Sequence, residues 1–284
     1  MRFDIIIVMK YFNQTLAYLF KYGRGRRFLI LFLLAVLPSA AIAYAFPLSD
    51  FVSFIADFGS ITYRDFPSMW KDAFNFDLYS LIALAAAFVL FVLFTAYSAT
   101  VITRSIRVGE FGLTKIINSV NENFFPAVAV TVFYFVTIFV AHNLFILLAF
   151  LFVHVKSRVF GTVLAALFLI LICVAVTYFF SALTLWLPTM SFSGQYVTKA
   201  FVNAFYKSRN YQRYFFLPSV VVTAVLAAFA FVAHFAASVW YVKWIINTLG
   251  FALSYTFALS FSAICYCDTE SITREDMAKR YFGR

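Results

Sequence analysis

Charge is scarce in this chain. Lys, Arg, Asp and Glu supply 12% of its 284 residues, while 64% are hydrophobic; a soluble domain carries about 25% charged residues. So few polar groups cannot cover the surface of a soluble protein. Cysteine is scarce as well: Cys173, Cys265 and Cys267 form no disulfide framework. Cys265 and Cys267 make a Cys-x-Cys pair, but a closed zinc site takes about four ligands, and no others lie near them in sequence. There is no Gly-x-Ser-x-Gly, no His-Glu-x-x-His and no Gly-rich phosphate loop, so the usual hydrolase, metalloprotease and nucleotide-binding signatures are missing. Ser208, between Lys207 and Arg209, reads as a surface residue rather than a nucleophile. No Lys, Arg, Asp or Glu falls deep in any apolar run, which argues against a coupled transporter, a pump or a charge-lined channel. The expectation is a non-enzymatic protein with no cofactor and no metal.

What is abundant is apolar length. Several runs reach or exceed the roughly 20 residues that cross a bilayer core. They are continuous, whereas a transmembrane barrel alternates in segments of about 10 residues. The fold class expected is therefore all-α: a polytopic helical membrane protein with six spans, at 28–46, 80–103, 126–153, 159–189, 214–239 and 245–267. Ala43-Tyr-Ala45 looks like a cleavage site, but the stretch before it is too long for a usual leader, so an uncleaved first span is preferred. Pro47 closes that span, and Pro188 is expected to end the fourth. Trp240-Tyr-Val-Lys-Trp244 reads as a tight aromatic turn.

Three basic segments precede span pairs. In the first, Phe12, Leu16, Leu19 and Phe20 share a helical face before Gly23 and Gly25. In the second, Leu113, Ile116, Ile117 and Val120 face one way, and Lys115, Asn118, Asn121 and Glu122 the other. The third, 195–213, places Val197, Phe201, Ala204 and Phe205 toward membrane or bundle and Lys199 and Lys207 toward water. Each reads as an interfacial amphipathic helix. The chain is thus expected to be one membrane domain, 1–284, of three modules, 1–103, 104–189 and 190–267, with a tail at 268–284. Each module is an amphipathic helix and a pair of spans, an internal repeat in pattern rather than identity.

Lys and Arg in short loops set orientation. The N-terminus, 104–125, 190–213 and the tail hold 17 of the 22 basic residues; Arg64, Lys71, Lys156, Arg158 and Lys243 hold the other face. Both termini are expected in the cytoplasm. The candidate headgroup contacts are Arg26, Arg27, Arg104, Arg107, Lys199, Lys207, Arg209 and Arg213, near anionic lipids that attract each cation by about 1 kcal/mol. The net charge of +10 is read as this topology signal and not as a nucleic-acid surface.

Leu187-Pro-Thr-Met, then Ala200-Phe-Val-Asn-Ala-Phe-Tyr-Lys-Ser-Arg-Asn, and the Tyr266-Cys-Asp268 exit with its tail resemble the membrane domain of glycerophosphoryl diester phosphodiesterases and related bacterial integral membrane families of unknown function. The resemblance implies a multi-pass protein of a bacterial plasma membrane. The soluble phosphodiesterase barrel has no counterpart, so that activity is not implied. Tyr206 stands where the pattern has a basic residue, and the usual Arg after Asp268 is missing.

Gly250, Ser254, Ala258 and Ser262 recur every four residues, a small-residue face that admits a close helix, either an internal one or another subunit. The loop after the first span, 47–79, rich in Asp and aromatics, is expected to fold back on the membrane interface, with a turn at Asp65-Phe-Pro-Ser. Its acids are spaced too widely for a compact calcium loop. His142, His154 and His234 fall on that outer side, where interfacial hydrogen bonding is preferred over a metal or proton site. The function expected is a scaffold, accessory subunit or lipid-organising protein, with a membrane protein or a second copy as partner. The alternative is a permease-like component passing an uncharged or amphipathic molecule.

Overall fold

The computed structural model describes residues 9–22, 25–56, 65–74, 77–109, 111, 115–155, 157–236 and 239–277. Regular structure among the described residues is all helical. α1 is Lys10–Leu16, continued by a π-helical turn Ala17–Lys21; α2 is Arg26–Ala45, α3 Leu48–Ala56, α4 Phe66–Phe74 and α5 Leu78–Val108. Next come α6 Ile116–Val153, α7 Arg158–Ala182, α8 Trp186–Ser193, α9 Val197–Ala236 and α10 Trp240–Thr269, then a 3-10 turn Glu275–Met277. Six stretches, centred on α2, α5, α6, α7, α9 and α10, are long and apolar enough to cross a membrane, which marks an integral membrane protein. Leu33, Leu37, Val140, Ile170 and Leu171 are exposed on them; apolar surface this extensive belongs against lipid.

The six long helices close into a ring. Contacts run α2–α5–α6–α7–α9–α10 and back from α10 to α2. Chain neighbours are thus spatial neighbours, as short connections favour. Two short helices cross the ring. α8 touches α5, α6, α9 and α10, near the start of α6. α3 touches α7, α9 and α10, and its Phe51 packs on Phe145, far along α6. Between them, Tyr255 of α10 reaches across to α5, where it meets the rings of Phe91 and Phe94 at 4.8 and 5.1 Å and the hydroxyl of Thr95.

Several expected boundaries move. The fourth apolar stretch runs through Pro188 to Ser193, but its helix is broken before it: α7 stops at Ala182, and Leu183, Thr184 and Leu185 form a turn. Pro188 is instead the third residue of α8, a first-turn position where its missing N–H leaves no helical bond unmade. Irregular backbone at membrane depth persists only when protein encloses it, and Leu183, Leu185, Trp186, Leu187 and Met190 are all buried. Trp240–Trp244 is not a turn but the first turn of α10.

The second and third expected amphipathic segments are continuous with their spans. α6 runs from Ile116 through a kink at Asn123 (φ −118°, ψ 15°) and past Pro126. α9 has 40 residues, about 60 Å of helix against a hydrocarbon core of about 30 Å, so its first half extends beyond that core. In α1 the buried face is Tyr11, Thr15, Tyr18 and Leu19, one step round from the expected face, and Phe20 is exposed against Phe28. Gly25 sits at φ +77°, a conformation that glycine adopts without the Cβ penalty, and there the chain turns from the π-helical segment into α2. Gly23 and Leu113 lie outside the described residues.

Candidate functional site

The end of the ring holding α1, α8 and residues 268–277 gathers most candidate basic residues. Arg26, Arg104, Arg107, Lys199, Arg209 and Arg213 are exposed there. Two others differ from expectation. Arg27 is not a headgroup contact: its side chain is 3% exposed and its Nη1 lies 3.0 Å from Oδ2 of Asp276, which is fully buried. Lys207 pairs with Glu270. The acids of both pairs come from the tail, which the sequence presents only as a polar terminus.

That tail is folded back as a clasp. Ile272 N–H donates to the Cys267 carbonyl at 2.8 Å, which turns the chain under α10. Lys10 donates to both carboxylate oxygens of Asp268, and Tyr11 donates to Oδ2 at 2.8 Å. Arg274 donates to both oxygens of Asp276 at 3.2 and 3.0 Å. The Arg27 guanidinium also lies 4.7 Å over the ring of Tyr18, a cation–π contact, and the Tyr18 hydroxyl bonds Ser105 Oγ of α5 at 2.7 Å. Burial pushes the Tyr18 phenol up to about 12, against the pull of Arg27 and Ser105. Burial, then the hydrogen bond to the Asp268 carboxylate, raises Tyr11 as well.

Beside the clasp lies a polar cleft of about 520 Å³. The end of α5 contributes Thr100, Thr103, Arg104, Arg107 and Val108. The start of α6 contributes Lys115, Asn118, Ser119, Glu122 and Asn123, and α8 contributes Ser191. Its floor is tied by hydrogen bonds: Asn123 Nδ2 donates to Thr100 Oγ1 at 2.7 Å, and that hydroxyl donates to the Ser119 carbonyl at 2.8 Å. Arg107 donates to the Phe192 carbonyl and its guanidinium carbon lies 5.2 Å from that ring's centroid, two contacts that anchor the side chain. Arg104 and Arg107 were legible as candidates from the charge pattern. Lys115 was assigned only to a polar face, and Ser191 carried no signal, because α8 was read as part of a span and its continuation.

The remaining candidates separate. Gly250 packs on α9 so closely that an added Cβ would lie 2.7 Å from Phe229 Cβ. Ser254 and Ser262 are half-buried and Ala258 is exposed, so the four do not form one docked stripe. Ser208 is not a surface residue: it is fully buried, and its hydroxyl has no hydrogen-bond partner among the described residues. On the opposite end His234 bonds Ser53 at 2.9 Å, exposed His154 bonds the Phe150 carbonyl, and His142 packs edge-on against Phe46 and tilted against Phe51. No group of three His, Cys, Asp or Glu placed to hold a metal occurs among the described residues.

The connection between α2 and α5 holds α3 and α4. Asp65 caps α4 by accepting from the Ser68 N–H at 2.8 Å, the arrangement that satisfies an orphan helix donor; Asp57 and Arg64 lie outside the described residues. Trp70 donates to Asn143 Oδ1, and Asn247 donates to Ser49 Oγ, so both short helices are fastened to the ring. No protein-family model, curated protein or solved structure matches this chain.

Proposed function

We propose that this chain is a non-enzymatic scaffold or accessory subunit of the plasma membrane that also organises lipid, its basic end in the cytoplasm. The observation that carries the reading is the filled ring. α8 crosses one end, α3 crosses the other, and Tyr255 bridges to Phe91, Phe94 and Thr95 between them. A bundle packed at these levels suits a rigid binding partner better than a passage. The predominance of Lys and Arg at one end supports the orientation and a preference for anionic lipids. The three-module repeat and the likeness to the phosphodiesterase membrane domain belong to the same proposal, which includes no phosphodiesterase chemistry. Affinity purification of the full chain in mild detergent, with mass spectrometry, tests it. A stoichiometric membrane-protein partner or retained lipid is expected; recovering neither counts against the proposal.

A permease-like role draws on different residues. The hydroxyls of Ser39, Ser98, Ser254, Thr256 and Ser260 are buried without hydrogen-bond partners among the described residues, and such groups could serve an uncharged polar cargo. Flux of such a solute into proteoliposomes, lost on replacing these hydroxyls, would favour passage over the scaffold.

A further inference from the structure

The cleft between α5, α6 and α8 combines four features that point to one ligand chemistry. Its volume, about 520 Å³, falls within the roughly 300–1,000 Å³ of small-molecule sites. Among the described residues its walls carry the cations Arg104, Arg107 and Lys115 and the acid Glu122. It opens at the N-terminus of α6, where Lys115 makes no side-chain cap and the helix dipole favours an anion. Ser191 Oγ lines the same space, buried and with no hydrogen-bond partner among the described residues.

The site is also shaped before a ligand arrives. The kink at Asn123 precedes Pro126, which has no N–H to offer the Glu122 carbonyl, so the first turns of α6 end in an irregularity beside the cleft. The Asn123–Thr100–Ser119 bonds hold that irregularity to α5. Arg107 is anchored beside Phe192 by its bond to that carbonyl and its contact with the ring, and a guanidinium carries further donors suited to forked recognition of phosphate oxygens.

Depth in the membrane selects the source of the phosphate. Ile117, beside Asn118 on α6, is 83% exposed, and Ile116 and Phe125 are also uncovered. Large apolar side chains on the turns that form the cleft belong in lipid, so the cleft opens at headgroup level rather than in bulk water. We propose that it binds the phosphate of an anionic membrane phospholipid, with Arg104, Arg107 and Lys115 supplying charge and Ser191 a hydrogen bond. This deepens the lipid-organising reading above and rests on it.

Native mass spectrometry of the full chain, released from micelles doped with phosphatidylglycerol or phosphatidylcholine, tests the site. Wild type should retain one phosphatidylglycerol in preference to phosphatidylcholine. Lys115→Gln should weaken that retention about fivefold and Arg104→Gln/Lys115→Gln about 25-fold, the factor for one cation and for two. Ser191→Ala, a small change that keeps the fold, should weaken it about threefold, the loss of one modest hydrogen bond. Lys21→Gln, an exposed cation on the same end outside the cleft, should change it less than about twofold. Equal weakening by Lys21→Gln and Lys115→Gln, or wild-type retention in the double variant, overturns the site. Displacement of the lipid by excess inorganic phosphate overturns the lipid assignment. Loss of lipid selectivity while a stoichiometric protein partner is still recovered sinks this proposal and leaves the scaffold standing.

Discussion

Arg27 and Asp276 meet at 3.0 Å with both side chains closed to solvent, joining the start of the first long helix to the far end of the chain. The pair is enclosed by Tyr18 and shared with Arg274. Exposed pairs such as Lys10–Asp268 contribute about 0–1 kcal/mol; a buried pair behaves differently, because removing one partner strands a charge.

Asp276→Asn should therefore destabilise the chain by about 3–5 kcal/mol, whereas replacing all three charged partners by apolar residues, Arg27→Met and Arg274→Met with Asp276→Leu, should recover most of that loss. Arg274 is included because it shares the Asp276 carboxylate and would otherwise be left unpaired. Thermal unfolding in detergent, followed by loss of the monodisperse species, reads the difference. A triple variant no better than Asp276→Asn would assign the clasp some role beyond charge neutralisation.

Stability should fall at high pH. Tyr18 titrates near 10.0 in an unfolded chain and is pushed up to about 12 in the fold, so the folded state holds its proton more tightly. The contribution is intact below the unfolded value and is lost as pH rises through the folded one. Tyr18→Phe should be less stable at neutral pH, lacking the Ser105 bond, but should decline less steeply across that window. An equally steep decline in the variant would assign the effect to other groups, Tyr11 among them.

Gly250→Ala should cost about 1–3 kcal/mol by overpacking, since its Cβ would lie 2.7 and 2.9 Å from Cβ and Cγ of Phe229. Adding Phe229→Ala would relieve only the Cγ contact, so it should recover part of the loss, while Phe229→Gly, which deletes the Cβ as well, removes both contacts. If Gly250→Ala melts like wild type, α9 and α10 are not as tightly held as this contact implies.

Sidedness can be read by labelling in a Cys173→Ser background, since Cys265 and Cys267 are buried. Tyr196 is 86% exposed at the basic end and Lys71 is exposed on α4. A membrane-impermeant thiol reagent on intact cells should mark Lys71→Cys and spare Tyr196→Cys until the membrane is opened. The reverse pattern would invert the proposed orientation. Ser208 is unsuited to this test, because it is buried.

Much of the architecture is local and so was legible in the chain. Apolar length alone located the six long helices, because a span must satisfy its own backbone and present apolar groups along about 30 Å. Asp65 announced its turn for a similar reason: its carboxylate bonds a donor three residues away. Charge placement picked out the residues of the basic end, but it could not separate Arg26, which is exposed, from Arg27, which is buried. Adjacent positions on a helix point in different directions, and which one meets the tail depends on chain 249 residues away. The same limit applies to Ser208, Ser191 and Pro188. Each looks unremarkable in sequence. Ser191 and Pro188 take their environment from α8, which pulls away from α7 and enters the ring, and Ser208 is buried by the packing of α9. Composition and periodicity determined that this protein crosses a membrane with helices. Long-range packing alone decided that those helices close into a ring, which cations meet the tail's acids in the clasp, and which line a cleft.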